Sequence, residues 1–362
     1  MVATPEKVAR PRRGRRRTVV AWVAALVVVG LVIWSVTYTL PVWSVTPGVA
    51  QAVTGPTGVL RVPTHLAHPS KGEIFLTDVE LTPLTPLGWL TSHFDSHVSY
   101  LSSADVLGTV PASQFDSIEA LQMDLSQQYA TVAALRLLGY SVPERSGPII
   151  GEVLPGSPAA RAASAGSLRI GDVIVSVDGH PTPTIAALRR WVDAVPAGEV
   201  AQLVLDPADG GARRVVGLTP ERTSAGSHEL GVGVVEGAYF SLPFPVSVDL
   251  PGVGGPSAGL AFSLGTVDEL TNGDLTGGLR IGATGEISPD GAVSQVGGVE
   301  QKAVAVRRAG ATVFLVPVGE AAQARAGGGP HLRVVPVSSL RQALSVLASL
   351  GGDTAGLPPG VR

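Results

Sequence analysis

The chain has 362 residues and is 45% apolar, 15% charged and 5% aromatic. That length permits two or three domains, and that composition is too apolar for a disordered chain and too poor in charge for a nucleic-acid binder. Cysteine is absent, which excludes disulfides, thiolate metal sites, iron–sulfur clusters and thiol catalysis. The net charge is −3, with +6 in residues 1–17, leaving −9 for the remainder. A basic tip on an acidic body points to a membrane rather than to DNA. Lysine occurs only as Lys7, Lys71 and Lys302, against 23 arginines. Arginine stays protonated in proteins and lysine need not, so an isolated lysine marks a place where arginine will not serve.

Residues 1–17 form a basic cytoplasmic tip containing Arg10, Arg12, Arg13, Arg15, Arg16 and Arg17. Residues 18–40 then run for 23 positions without a charge. As a helix they span roughly 34 Å, enough for a bilayer core of ~30 Å. Trp22, Trp34, Tyr38 and Trp43 lie towards the two ends, where an aromatic belt belongs, and the arginines keep the N-terminus cytoplasmic. The competing reading is a cleaved signal peptide, whose apolar region is shorter, about 7–15 residues. The expectation is a single-pass anchor in a bacterial plasma membrane with the rest of the chain outside.

Residues 41–138 read as a Pro-, Gly- and Thr-rich linker to about residue 72, a strand over Glu73–Thr82, and a helix from near Ser117 to Leu138. His93 and His97 have i, i+4 spacing, but Phe94 stands where a zinc-protease motif carries Glu, so no metal site is expected.

Residues 139–222 read as a compact unit. Pro148–Leu154 is a strand, Ser157-Pro158 caps and opens a helix, and Leu168–Asp178 is a turn and strand closed by Asp178-Gly179. Ile185, Leu188 and Val192 share one helical face. Val200–Leu205 and Arg213–Leu218 form a hairpin across Ala208-Asp209-Gly210-Gly211. This order, with the string VLPGSPAARA…AGSLRIGDVIVSVDG, resembles a PDZ domain of the kind found in secreted bacterial proteases. The resemblance implies capture of a peptide as an added strand, with a loop holding its terminal carboxylate. Leu138, Gly139, Tyr140 and Ser141 are the expected loop.

Residues 223–350 carry the chemistry. Strand patterns at Leu230–Val235 and Pro245–Asp249 lead to the Gly-rich turn Leu250–Gly259, after which Leu260, Leu264, Val267 and Leu270 keep helical spacing. Ser257 thus sits where unpaired N–H groups and the helix dipole favour an oxyanion. Three chemistries fit that turn. Gly255-x-Ser257-x-Gly259 matches a hydrolase nucleophile elbow, but His331 is the only later histidine. A phosphate cradle lacks the Walker lysine. In the third, Lys302 is the base, on the helical segment Val299–Ala309; a strand, turn and return strand over Ile281–Gly291 precede it, and Val293–Gly298 leads into the helix.

The segments GPSAG, ATGEISPDGAVSQVGG and VEQKAVAVRRAGA resemble the proteolytic domain of the Lon family of Ser–Lys endopeptidases. With the anchor and the PDZ-like unit, the chain resembles membrane-anchored bacterial Lon-like proteases that lack an ATPase. The resemblance implies Ser257 as nucleophile, Lys302 as general base, and Thr284 as the threonine that orients the lysine. It implies support from Gly255, Pro256 and Ala258, protein or peptide substrates, a ring-like homo-oligomer of six subunits, and no cofactor, metal, nucleotide or nucleic acid. In one respect the chain departs from the pattern: many members carry an acidic residue three before the serine, and here it is Gly254, with Asp249 the nearest upstream carboxylate. The expected architecture is α+β and multidomain: a transmembrane helix, a PDZ-like β-sandwich or barrel, an α/β Lon-type proteolytic domain with a final helix over Ser339–Leu350, and a flexible tail over 351–362. The expected function is ATP-independent endoproteolysis; the rival is a non-catalytic PDZ scaffold with an assembling Lon-like domain.

Overall fold

A computed structural model describes residues 13–108, 115–207, 211–223 and 226–360. Most of the basic tip (1–12), Ser113, the hairpin tip 208–210 and the last two residues of the tail lie outside those residues.

In chain order the elements begin α1 (Arg13–Thr37), β1 (Val42–Ala52), β2 (Leu60–Arg61), β3 (Glu73–Pro83), α2 (Pro86–Ser92), β4 (Ser99–Ser102), α3 (Ser103–Leu107) and α4 (Phe115–Leu137). One compact unit takes the chain up to Pro47 together with Glu80–Ala112, and the other takes Gly48–Val79 and everything from Ser113. In the first unit, Val42–Val45 of β1 pair antiparallel with β4. Thr85 and Ser102 cap α2 and α3, as hydroxyl side chains at these positions do. Within α1, Val20–Thr37 is long and apolar enough to cross a membrane.

The second unit continues through β5 (Glu144–Val153), α5 (Pro158–Ser164), β6 (Val173–Val177), β7 (His180–Pro181), α6 (Ile185–Asp193), β8 (Ala201–Asp206) and β9 (Arg214–Leu218). Ser157 accepts the Ala160 N–H at 3.1 Å, capping α5 as its sequence position predicts, and Thr184 accepts the Ala187 N–H at 3.2 Å, capping α6. Next come β10 (Glu221–Arg222), β11 (His228–Glu229) and β12 (Val232–Phe240). The strand order here is β12-β5-β6-β8-β9. Its core joins Ile150, Ile174, Leu188, Val192 and Leu203, and Arg214 holds the buried Asp172 carboxylate through both oxygens at 2.6 and 2.7 Å.

The remaining elements are β13 (Ser247–Val248), α7 (Gly259–Leu270), β14 (Arg280–Ala283), β15 (Glu286–Ile287), β16 (Val293–Ser294), α8 (Val299–Arg308), β17 (Val313–Pro317), α9 (Ala321–Gly328), β18 (Arg333–Val337) and α10 (Leu340–Ser349). In this unit β18, β17, β14, β3 and β1 follow one another in a sheet, and the β3–β14, β14–β17 and β17–β18 pairs are parallel. Parallel strands covered on both faces read as unbroken apolar runs, and β17 (VFLVP) does so. Val313 and Leu315 join the core of α4, α7 and α10, while Phe314 and Val316 join that of α8 and α9. The strand period of two sends neighbours to opposite faces.

Three expectations about organisation change. Residues 42–52 form a strand despite Pro47 and Gly48, and Val53, Val59 and Leu60 are buried in the main core. Neither β3 nor α4 belongs to a separate N-terminal segment. β3 pairs with β14, with Glu73 bonded to Arg280 at 2.8 Å, and Met123, Ala130 and Ala133 of α4 share a core with α7. The β5–β12 sheet is therefore inserted into a larger domain whose first part precedes it. The tail is docked rather than free: Leu357 is buried in the main core and the Asp353 N–H bonds the Asp274 carbonyl at 2.8 Å. The final helix packs into the same core through Leu340, Leu344 and Leu347.

Because Leu76 of β3 is buried in that shared core, Leu76→Ala should lower the unfolding free energy of the C-terminal body by about 2–5 kcal/mol. Denaturant titration checks this, and an unchanged midpoint would mean that β3 is not part of the body.

Candidate active site

Ser257 is half-buried, between the turn Leu250–Pro256 and the first turn of α7. The turn is held from outside itself. Gly255 sits at φ +82°, a left-handed conformation open to glycine, and its N–H donates to the Glu119 carbonyl at 2.8 Å. The Pro256 carbonyl accepts from the Ser126 hydroxyl at 2.9 Å. Both partners lie on α4.

The serine's own carbonyl is clamped twice, by the Thr284 hydroxyl at 3.1 Å and the Gly285 N–H at 2.9 Å. The Gly285 carbonyl in turn accepts the Leu260 N–H at 3.0 Å. The ATGEI segment thus holds the backbone from the Ser257 carbonyl to Leu260, while α4 holds the side before the serine. Residues 259–268 of α7 are buried, and its N-cap Ala258 makes no side-chain cap bond. Of the first amides of this helix, that of Leu260 is taken by Gly285; a helix start leaves its first N–H groups without an intrahelical partner.

Lys302 lies on α8, which starts from the left-handed Gly298, and is 2% exposed. Val299, Ala303, Val304 and Val306 around it are buried too. Burial lowers the lysine pKa to about 8, against the opposing pull of the Glu320, Asp78 and Glu119 carboxylates. Glu320 accepts the Val296 N–H at 3.0 Å through Oε1, while its buried Oε2 has no hydrogen-bond partner. Burial raises the Glu320 pKa, against the Val296 bond and the Lys302 charge.

Of the residues expected from sequence, Gly255, Pro256, Ser257, Ala258 and Thr284 form one hydrogen-bonded assembly, and Lys302 is the buried amine. Thr284 bonds the Ser257 carbonyl, which makes it a clamp on that residue's backbone. Glu119 fills the side-chain space of position 254: a Cβ placed on Gly254 would lie 2.6 Å from the Glu119 Cβ, and one on Gly255 would lie 2.8 Å from its Oε2. Sequence reasoning missed Glu119, Ser126, Asp78 and Glu320, since each comes from an element far away in the chain. His331 is exposed in the loop before β18. His93 is engaged locally, its Nδ1 2.7 Å from the Trp89 carbonyl, and its ring stacks on Tyr100.

The expected carboxylate loop lies elsewhere than the groove. Leu138 packs on the main core and Tyr140 meets the Phe244 ring edge-on at 5.3 Å. A groove of about 700 Å³ instead runs between α6 and β12, lined by Leu188, Arg189, Val192, Leu230, Val232 and Val234. β12 ends its sheet, and the His228 N–H ties the entry of the groove to the Asp193 carboxylate at 2.8 Å.

Residues 149–206 match the PDZ domain family, and residues 249–342 match the Lon protease (S16) C-terminal proteolytic domain. The Lon protease of Clostridioides difficile (strain 630) is 44% identical over 63 residues, which cover 17% of this chain and 8% of that protein. The chain therefore spans only a small part of that relative. Two solved structures, PDZ domains of SdrC-like proteins from Listeria monocytogenes and Listeria innocua, are each 18% identical. They cover 25% and 24% of this chain and 87% and 92% of their own, with TM-scores of 0.22 and 0.21. The chain thus carries a PDZ domain and, C-terminal to it, a domain of the Lon (S16) proteolytic type.

Proposed function

We propose that the chain is a membrane-anchored, ATP-independent serine endopeptidase that cleaves unfolded or terminus-exposing polypeptides through Ser257 and Lys302. The observation that carries the reading is the burial of Lys302, with its pKa near 8, in the same domain as a serine whose backbone is locked on both sides.

The chemistry follows from that pair. Neutral Lys302 takes the Ser257 proton as the hydroxyl attacks the peptide carbonyl. The oxyanion forms at the uncapped start of α7, where amides are preorganised for it. The ammonium that appears on Lys302 is offset by Glu320, Asp78 and Glu119, the carboxylates that favour the charged lysine. Lys302 then protonates the leaving amine, and water hydrolyses the ester. Arginine cannot replace it, because it does not deprotonate.

The groove between α6 and β12 supports docking of an extended chain end as a strand on the edge of β12, with Leu188, Val192 and Val232 receiving alternate side chains. Anchoring rests on α1, with the arginine block cytoplasmic. The Lon resemblance adds a homo-oligomer.

Incubated with casein in detergent, the full chain should cleave. Ser257→Ala and Lys302→Arg should each lose at least ~1000-fold in kcat, and His331→Ala should match the parent. Loss in His331→Ala alone would transfer the activity to an elbow hydrolase, and no cleavage by an assembled parent would leave a scaffold. Because the base must be neutral and its pKa is about 8, kcat/KM should climb with pH through that value and flatten above it.

Glu119→Gln removes one charge that favours the ammonium. The climb should therefore move to lower pH, and the plateau should fall by roughly two- to tenfold. A pH profile superimposable on the parent's would remove Glu119 from the reaction.

The buried amine also costs stability. Its folded pKa lies below the unfolded value, so at pH 7 the lysine is protonated in both states and the full desolvation cost is present. Stability then rises with pH between about 8 and ~10.4 as the folded form deprotonates first. Lys302→Met should raise the unfolding free energy by roughly 3 kcal/mol at pH 7, and by much less at pH 10. Denaturant titration at the two pH values checks both sign and trend.

A further inference from the structure

The unit that carries α1 also holds a second apolar element. From Leu81 to Phe94 the chain has no Asp, Glu, Lys or Arg. Within that run, Leu87, Trp89, Leu90 and Phe94 are all exposed, Phe94 at 89%. None of the residues of α2 is buried. Scattered apolar side chains on a surface need no explanation, but several together mark an interaction site.

The position of α2 is fixed relative to the end of α1. The Leu40 N–H donates to the Leu84 carbonyl at 2.7 Å and the Leu84 N–H to the Val42 carbonyl at 2.9 Å. These bonds bring the start of α2 to the residues that leave α1, and the two helices lie against each other. If Val20–Thr37 spans the hydrocarbon core, an element touching the C-terminal end of α1 lies at the level of the headgroups.

The aromatic inventory agrees. Of the five tryptophans, Trp22, Trp34, Trp43 and Trp89 are in this unit and only Trp191 is outside it. Trp34 stacks on Tyr38 at 5.6 Å, and Trp89 meets the His93 ring edge-on at 4.5 Å. Trp and Tyr collect at membrane interfaces because one end of the ring is apolar and the other polar.

We propose that α2 and Phe94 insert into the outer leaflet beside α1, so that a lipid surface, and not a protein partner, covers Leu87, Trp89, Leu90 and Phe94. The inference rests on the reading of α1 as a membrane span. A single helix leaves the attached chain free to swivel. A second contact, a few residues deep, fixes the tilt and height of this unit at the bilayer.

The full chain is reconstituted in vesicles of phosphatidylcholine and phosphatidylglycerol whose acyl chains carry bromine near the headgroup. Two variants are read by fluorescence: one in which Trp89 is the only tryptophan, and one in which Trp34 is. The proposal expects Trp89 to emit at short wavelength and to lose at least half its intensity to the brominated lipid. Quenching of Trp34 with none at Trp89 overturns the proposal and keeps the anchor. Quenching of neither overturns both. Should the multiple Trp→Phe variants fail to fold, Trp89→Phe alone reads the same quantity by difference: a quenched fraction equal to the parent's with no loss of quenched intensity contradicts insertion, and a loss supports it. A spectrum of Trp89 that shifts with protein concentration but not with bromine assigns the patch to another copy of the chain and overturns the proposal.

Discussion

A buried amine is the constraint around which the C-terminal body is organised. Lys302 is 2% exposed, and moving its pKa from the free value to about 8 costs roughly 3 kcal/mol, a large part of the few kcal/mol by which domains are stable. Such a cost is tolerated only in a site that the surrounding structure over-determines. Here α8 buries Val299 and every residue from Gln301 to Val306, Lys302 included, and the Lys302 carbonyl accepts the Thr77 hydroxyl of β3 at 3.4 Å. Three carboxylates from three other elements limit the depression of the lysine pKa, leaving it near the pH at which a base is most useful.

The serine side is held by the same logic of support from afar. Four hydrogen bonds fix the backbone from Gly255 to Ser257, two from α4 and two from the Thr284-Gly285 turn. None of these four bonds uses the serine hydroxyl, so the backbone of Ser257 is positioned without engaging the group proposed to attack. Helix α4 precedes the PDZ domain in the chain and β14 follows it. The proteolytic domain is therefore closed only when the two stretches flanking the insertion meet in one sheet and one core.

Much of this was legible in the sequence, for physical reasons that differ from site to site. Local chemistry read well: Ser157-Pro158 opened a helix because a hydroxyl at the cap satisfies an orphan N–H, and Asp178-Gly179 made a turn because both adopt positive φ. The GPSAG turn, the ATGEI segment and the Lys302 helix fell where their patterns placed them. Long-range pairing did not read. Nothing in EIFLTDVELT states that Ile74 will lie beside Ile281, so the sequence leaves open whether residues 73–138 stand apart or pack onto the C-terminal body. Residues 42–52 looked like a linker because Pro and Gly weigh heavily in composition, while their burial in a sheet comes from strands distant in sequence. Glu119 was invisible for the same reason: a helical glutamate is ordinarily a solvated charge, and only the fold brings it to Gly254 and Gly255. The groove beside α6 was not legible because its strand, β12, follows the PDZ segment in the chain and does not precede it.

The central claim is that burial brings one lysine of the proteolytic domain down to titrate at about 8, where a neutral fraction is within reach of ordinary pH. With only three lysines in the chain, it can be read one nitrogen at a time. The chain is grown with lysine labelled at the ε-carbon and titrated by NMR in detergent. The account predicts that one of the three resonances titrates at about 8 and is lost in Lys302→Arg. Three resonances that all titrate near the free-lysine value of ~10.4 would contradict it.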